Sequence, residues 1–465
     1  MNMINVRRLT VMTFLGAGML SGISAQVSPL QVDTLKETKI PDQWDLQSCI
    51  DYAKEQNITI RKNRITAVST QIDVKTAKAA LFPSLSFSTG HQVVNRPYQE
   101  TSSRVSGSEI ISSNSKTSYN GNYGLNASWT LYNGNKRLKT IQQEKLNNQM
   151  AELDVATSEN NIQESIAQVY IQILYAAESV KVNENTLQVS IAQRDRGQEL
   201  LNAGSIAKSD LAQLEAQVST DRYQLVTAQA TLEDYKLQLK QLLELDGENE
   251  MNVYLPALSD ENVLLPLPTK KDVYMSALTL RPEIEASKLS VEASELGIDI
   301  AKAGYLPTIS LSAGIGTNHT SGSDFTFGEQ VKNGWNNSIG VSVSVPIFNN
   351  RQTKSAVQKA KLQRETSLLS LLDEQKTLYK TIEGLWLDAN SAQQRYAAAN
   401  EKLKSTQISY DLISEQFNLG MKNTVELLTE KNNLLQAQQE QLQAKYMAIL
   451  NTQLLKFYQG DKLAL

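Results

Sequence analysis

The sequence predicts a mainly α-helical chain with membrane β-strands, built as two repeated halves. Three observations predict it. First, all ten prolines fall at or before Pro97, between Pro256 and Pro307, or at Pro346. Two long stretches are therefore free of the residue that breaks helices. Second, four segments alternate polar and apolar residues with period two, the signature of strands that separate two different environments. Third, the chain resembles itself at fixed offsets.

The repeat sets the order of elements. Ala77-Lys78-Ala79 recurs as Ala301-Lys302-Ala303, and Phe82-Pro83-Ser84-Leu85-Ser86 as Leu306-Pro307-Thr308-Ile309-Ser310. The same offset relates Ile60 to Ile284 and Gly90 to Gly314. A shorter offset relates Leu131-Tyr132-Asn133 to Ile347-Phe348-Asn349, Gly204 to Gly420, Asp210 to Glu426 and Leu211 to Leu427. The change of offset places a longer loop in the first half. Each half then reads helix, strand, loop, strand, long helix, turn, helix. The first repeat covers 43–245 and the second 269–458, with a linker at 246–268 and a tail at 459–465.

A helix is expected over 43–80 and another over 269–304. The stretches 134–203 and 350–418 each read as one helix of about 70 residues, on the order of 100 Å long at 1.5 Å per residue. Gly204 and Gly420 end them, as glycine does where a left-handed residue closes a helix. Shorter helices follow over 205–245 and 421–458. Two short helices end to end match one long one, which suits a tube wall of even height. Their apolar residues form narrow seams, such as Leu211, Leu214, Val218 and Leu225, or Leu427, Leu428, Leu434, Leu435 and Leu442. Thin seams of this kind suit coiled-coil packing.

In the strands, Leu85 and Phe87 alternate with Ser84, Ser86 and Ser88. Tyr119, Tyr123, Leu125, Ala127, Trp129 and Leu131 oppose Asn120, Asn122, Asn126, Ser128 and Thr130. Ile309, Leu311, Ala313 and Ile315 oppose Ser310 and Ser312, while Ile339, Val341, Val343, Val345 and Ile347 oppose Ser338, Ser342 and Ser344. A small, hydroxyl-rich face suits a water-filled lumen, and a length of about 10 residues crosses a bilayer when tilted. Phe82, Tyr305, Tyr132 and Phe348 gather where strands meet helices, as a membrane-interface girdle does. Loops 95–118 and 317–336 read as external. Four strands cannot close a barrel, and lipid tolerates no open sheet edge, so two or more copies are required.

Composition limits the alternatives. Net charge is −4, which gives no sign of nucleic-acid binding. Mean hydropathy is −0.34, too polar for a helical membrane protein. Arg7 and Arg8 precede an apolar run from Leu9 to Ile23, and Ile23-Ser24-Ala25 offers a cleavage point; residues 1–25 are expected to be a secretory signal and 26–42 a loose N-terminal extension. The lone Cys49 forms no internal disulfide, and two histidines make a zinc site or other metal site unexpected. His91 and His319 are expected as surface loop residues, the competing reading being a metal-binding outer mouth. No Walker, GxSxG or HExxH motif is present, so no enzyme or cofactor is expected.

With these features the chain resembles the TolC-type outer membrane efflux protein family. The carrying motifs are the two strand entries, Arg281-Pro282-Glu283-Ile284, Pro346-Ile347-Phe348-Asn349, and Phe417-Asn418-Leu419-Gly420 followed by Val425-Glu426-Leu427-Leu428. The resemblance implies a homotrimer whose strands share a twelve-stranded transmembrane β-barrel in the outer membrane of a Gram-negative bacterium, with a long α-helical barrel in the periplasm. It implies the exit duct of a tripartite efflux or type I secretion system, docked to a periplasmic adaptor (membrane fusion) protein and an inner-membrane transporter of RND or ABC type. The competing reading is a coiled-coil envelope protein without a pore. The resemblance also implies a gate at the helix tips. Lys422 stands at the family's constricting basic position, Asp210 at its acidic partner and Glu426 at an acidic ring. Phe417 replaces a linking tyrosine and Thr429 a second acid. Gly204 and Gly420 mark the tips where an adaptor docks.

Overall fold

The computed structural model describes residues 40–463, except 99–101, 107–108, 114–115, 247–250, 257–262, 322 and 324. The expected signal segment 1–25, and the extension up to residue 39, lie outside the described residues. Two 67-residue helices dominate, α3 (Lys136–Asn202) and α8 (Gln352–Asn418). Each is entered through two consecutive left-handed residues, Gly134 and Asn135 in the first half and Asn350 and Arg351 in the second. Each ends on a glycine at φ 73°, Gly204 or Gly420. Ser205 N–H reaches back to Leu200 O at 2.8 Å, and Met421 N–H to Gln416 O at 2.9 Å, closing the last turn the same way in both halves.

The helix expected over 43–80 is two helices, α1 (Leu46–Gln56) and α2 (Ile58–Ala79). Asn57 divides them because its carboxamide serves both sides. Its oxygen accepts from Thr59 N at 2.9 Å, and its nitrogen donates to Leu242 O at 3.0 Å. The stretch 269–304 likewise splits into α5 (Lys270–Leu280) and α6 (Pro282–Lys302). Arg281 is extended there, at ψ 125°, as the residue before a proline prefers. The remaining long elements are α4 (Lys208–Leu242) and α9 (Thr424–Gln459). Helices α2 and α4 both lie along α3, and α6 and α9 both lie along α8. Each long helix is thus backed by two shorter ones.

Between the stacked pairs sits the main core. Trp44, Cys49, Tyr170, Leu239, Val253 and Leu450 are among its buried members. Residues 251–256 of the linker thread through it. Trp44 N–H donates to Asn252 O at 2.9 Å, Tyr254 N–H returns to Trp44 O at 2.8 Å, and Tyr170 Oη donates to Tyr254 O at 2.6 Å. Burial raises the Cys49 thiol to about 12, so it packs as a small apolar group.

Four strands form one antiparallel sheet in the order β1 (Ser84–Asn95), β4 (Thr117–Asn133), β5 (Thr308–Thr320), β6 (Asn336–Ser344). Strand β6 ends at Ser344, short of the Ile347 expected from alternation, and Pro346 follows, which has no N–H for a ladder. The segments expected as external loops carry secondary structure of their own. Residues 95–118 include a hairpin, β2 (Ser102–Ser106) with β3 (Glu109–Ser113). Residues 317–336 include the end of β5 and a short helix, α7 (Phe327–Asn333), started by a reciprocal Thr326–Glu329 cap.

Candidate functional site

Register sorts the sheet into two unlike faces. One row across it is Ser84, Ser128, Ser312 and Gly340; another is Ser86, Asn126, Gly314 and Ser338. The alternate rows are Leu85, Ala127, Ala313 and Ile339, then Trp129, Leu311 and Val341. The apolar face is open in the protomer, with Ile339 79% and Val341 66% exposed. A β-bulge between Thr130 and Tyr132 leaves Leu131 outside the ladder and brings Tyr132 opposite Ile309. That departs from simple alternation, which gives the apolar row to Leu131. Phe82, Tyr132, Tyr305 and Phe348 all lie exposed at the junction of strands and helices. The Trp129 indole N–H donates to Leu81 O at 2.7 Å there, and Arg137 Nη1 to Thr130 O at 2.6 Å.

The expectation that His91 and His319 are loop residues is corrected: both lie in strands, His91 in β1 and His319 in β5. They flank Gly121 of β4 in a single row. A Cβ at Gly121 would collide with the His319 ring, so the glycine lets both imidazoles lean inward, to 6.3 Å between ring centroids. Tyr119 stacks on His91, Tyr123 stacks on His319, and Phe327 of α7 meets His319 edge-on. Both nitrogens of His91 are engaged, Nδ1 with Tyr119 Oη at 2.7 Å and Nε2 with Thr89 Oγ1 at 3.3 Å. The group is a packed aromatic belt near the outer strand ends.

At the opposite end, the two hairpins α3–α4 and α8–α9 turn at Gly204 and Gly420. Asp210 and Glu426 occupy matching places, the third residue of α4 and of α9. Asp210 Oδ2 accepts from Ala207 N–H at 3.0 Å, and Glu426 Oε2 from Asn423 N–H at 3.2 Å. Asn423 Oδ1 in turn accepts from Glu426 N–H at 2.9 Å, completing a capping box. The expected clasp joins Lys422 to Asp210. Within one protomer, Lys422 Nζ instead donates to Glu426 Oε1 at 2.6 Å. Lys422 and the Asn423 N–H hold the Glu426 carboxyl below its ordinary value. Phe417 is 2% exposed and packs with Leu214 and Leu427 in a small separate core, so its ring fills the tip rather than presenting on a surface. Thr429 Oγ1 bonds to Val425 O at 2.8 Å.

A profile of the outer membrane efflux protein family matches residues 49–244 and 273–460, covering both helix–strand halves. The chain belongs to the outer membrane efflux protein family. Outer membrane efflux protein BepC of Brucella suis is 25% identical over 294 residues, 63% of this chain and 61% of BepC. Outer membrane protein TolC of Escherichia coli is 26% identical over 300 residues, 61% of this chain and 58% of TolC. The matched stretch thus spans less than two thirds of either relative. The crystal structure of CusC superimposes with a TM-score of 0.76 at 19% identity, covering 90% of this chain and 92% of CusC, which is a likeness of fold.

Two further constellations in this efflux-family chain escaped sequence reading. At the α5–α6 junction, buried Arg281 donates from Nη2 to Glu164 Oε1 of α3 at 2.5 Å and pairs with Glu283 at 3.4 Å. Its guanidinium carbon stands 3.6 Å from the centroid of the Tyr458 ring. Burial pushes the Glu164 carboxyl up, and Arg281 pulls it back down. Between the hairpins, Lys431 of α9 bonds to Asp221 of α4 and Ser190 of α3, all three at most 3% exposed. Arg281 carried a signal, since an arginine before Pro-Glu is an unusual helix break. Asp221 and Lys431 carried one too, each standing on an apolar seam where a leucine is expected.

Proposed function

We propose that three copies pool their four strands into a twelve-stranded barrel in the outer membrane and their helices into a periplasmic tube. The assembly is a passive exit duct for a tripartite efflux or type I secretion system. One observation carries the reading: a four-stranded sheet with a serine and asparagine face, an exposed apolar face, and edge strands β1 and β6 that each lack a second neighbour among the described residues of the protomer. Backbone groups on those edges need partners in lipid, and neighbouring copies supply them. The apolar face meets lipid and the polar face meets water. Trimer bands that shift on heating, together with ion conductance in planar bilayers, test it. A monomeric, water-soluble product without conductance overturns it.

The periplasmic adaptor and an inner-membrane transporter of RND or ABC type are the partners of this reading, meeting the duct at the tips marked by Gly204 and Gly420. The gate residues are Asp210, Lys422 and Glu426, with Phe417 packing behind them. Around a three-fold axis the Lys422–Glu426 pairs come together at the entrance, where rings of charge set ion preference. Glu426→Gln then leaves Lys422 unopposed and shifts selectivity from cations toward anions. Asp210→Ala and Lys422→Ala channels conduct more than wild type if the two sides of the tip hold each other; unchanged conductance removes them from the gate.

A further inference from the structure

Three helices from two hairpins converge on one buried charge. Lys431 lies on α9, between Leu427 and Leu434, both buried. Asp221 lies on α4 one turn beyond buried Val218. Ser190 lies on α3 one turn beyond buried Leu187. Each polar residue therefore occupies a seam position that its neighbours fill with apolar side chains. The Lys431 ammonium bonds to Asp221 Oδ2 and Ser190 Oγ, Ser190 Oγ donates to the same carboxylate oxygen, and Gln217 Nε2 donates to Asp221 Oδ1 at 2.9 Å. The site stands roughly 15–25 Å along the helices from the tip glycines, at about 1.5 Å per residue. Beyond it, toward the tips, the buried apolar core is small, with Leu214, Phe417 and Leu427 clustered together and Leu211 and Val218 buried on the same seam.

A polar group at one seam position fixes which register two helices adopt, because any slip leaves it buried without a partner. Most other side-chain links near the tips stay within one hairpin, as Lys422–Glu426 and Ser409–Glu430 do. The Gln193–Tyr410 bond at 2.8 Å also crosses between hairpins, but it is neutral. We propose that Lys431, held by Asp221 and Ser190, fastens the second hairpin to the first, so that parting of the tips is confined to the helix ends below it. The proposal rests on the gated-duct reading above. It assigns this chain a fastening set back from the tips and internal to each protomer. Lys431 is a positioning residue: it acts through the helices it joins and does not face the pore entrance.

The partners differ in what they leave behind when removed. Asp221→Asn leaves the ammonium buried with neutral partners only. Lys431→Met leaves a carboxylate that still accepts from Gln217 and Ser190. The first change is therefore expected to act more strongly. The double variant Asp221→Asn/Lys431→Met removes both charges and is expected to close the hairpins again.

The test uses full-length protein purified in detergent, with spin labels at Ala203→Cys and Leu419→Cys, one on each tip. Cys49 is fully buried and stays unlabelled. The expected result is a longer, broader Ala203–Leu419 distance in each single variant, by about 5 Å, the scale of one helical turn. A rise of about tenfold in open fraction in bilayers accompanies it, and the double variant returns both readings to wild type. Distances unchanged in both single variants overturn the fastening. So does a double variant as open as the singles, which traces the effect to lost packing rather than to charge. If a single variant fails to fold, the double variant and its reversed pair, Asp221→Lys/Lys431→Asp, still test charge pairing. Absence of current from every variant, with the distance response intact, counts against the duct and not against the fastening.

Discussion

The middle of the molecule and its tips are built from the same helices yet held in opposite ways. At the α5–α6 junction, Arg281 joins two carboxylates and two aromatic rings beside a buried cluster that includes Ala277, Ile284 and Tyr458, and residues 251–256 thread through the main core. At the tips, three shared apolar side chains and one capped helix start per hairpin hold the turns, with a single half-buried ion pair, Lys422–Glu426, at the second. Leu419, Met421 and Val425 remain exposed there. The contrast teaches where stability and movement are separated. Damage to the middle threatens the whole fold, while damage to a tip frees only that tip.

The largest expected effect breaks the middle. Arg281→Ala leaves Glu164 and Glu283 without their cation and is expected to cost about 3–5 kcal/mol in denaturant unfolding. Arg281→Lys keeps the charge but loses the fork and the stacking over Tyr458, so it falls between wild type and alanine. An alanine variant as stable as wild type would erase the contrast. Next comes Phe417→Ala, expected to cost about 3 kcal/mol locally by opening a cavity in the tip core. Hydrogen exchange should rise around 200–215 and 412–430 while the global unfolding midpoint stays in place. A shift of the global midpoint would mean that tips and middle unfold as one unit.

A smaller effect comes from acid. The folded Glu426 carboxyl sits below its ordinary value of 4.5 because Lys422 and the Asn423 N–H favour its charged form. Its contribution is present above that ordinary value and is lost as pH falls through the lower folded value. Exchange at the start of α9 should rise in that window, and Glu426→Gln should abolish the dependence. The smallest effect sharpens the comparison between the halves. Gly134 and Asn350 occupy matching left-handed positions, at φ 68° and 49°. Asn350→Gly should stabilise the second strand-to-helix joint by about 0.5–1 kcal/mol in thermal melts. Loss of stability would show that the Asn350 side chain is itself required.

Periodicity and punctuation determined the long helices, their glycine ends, the duplicated order and the four membrane strands, because each is a property of neighbouring residues. The strand faces were legible as well, up to the bulge at Leu131, whose displacement depends on β5. The break at Asn57 went unread for a related reason: its carboxamide is held by Leu242, 185 residues away in the chain. The break at Arg281 stands before Pro282, a local signal, and Arg281-Pro282-Glu283-Ile284 reads as a helix start even though a single helix is expected over 269–304. What the sequence hid there is the Glu164 partner, 117 residues away. Only the tertiary structure decided that His91 and His319 meet over Gly121, that Phe417 is buried, that Lys422 turns to Glu426 within a protomer, and that Lys431 finds Asp221 across 210 residues. A lysine or aspartate on an apolar seam is legible in the sequence as an oddity, but its partner is not. It becomes a fastening only when a second helix removes the water around it and supplies the one partner that makes its burial tolerable.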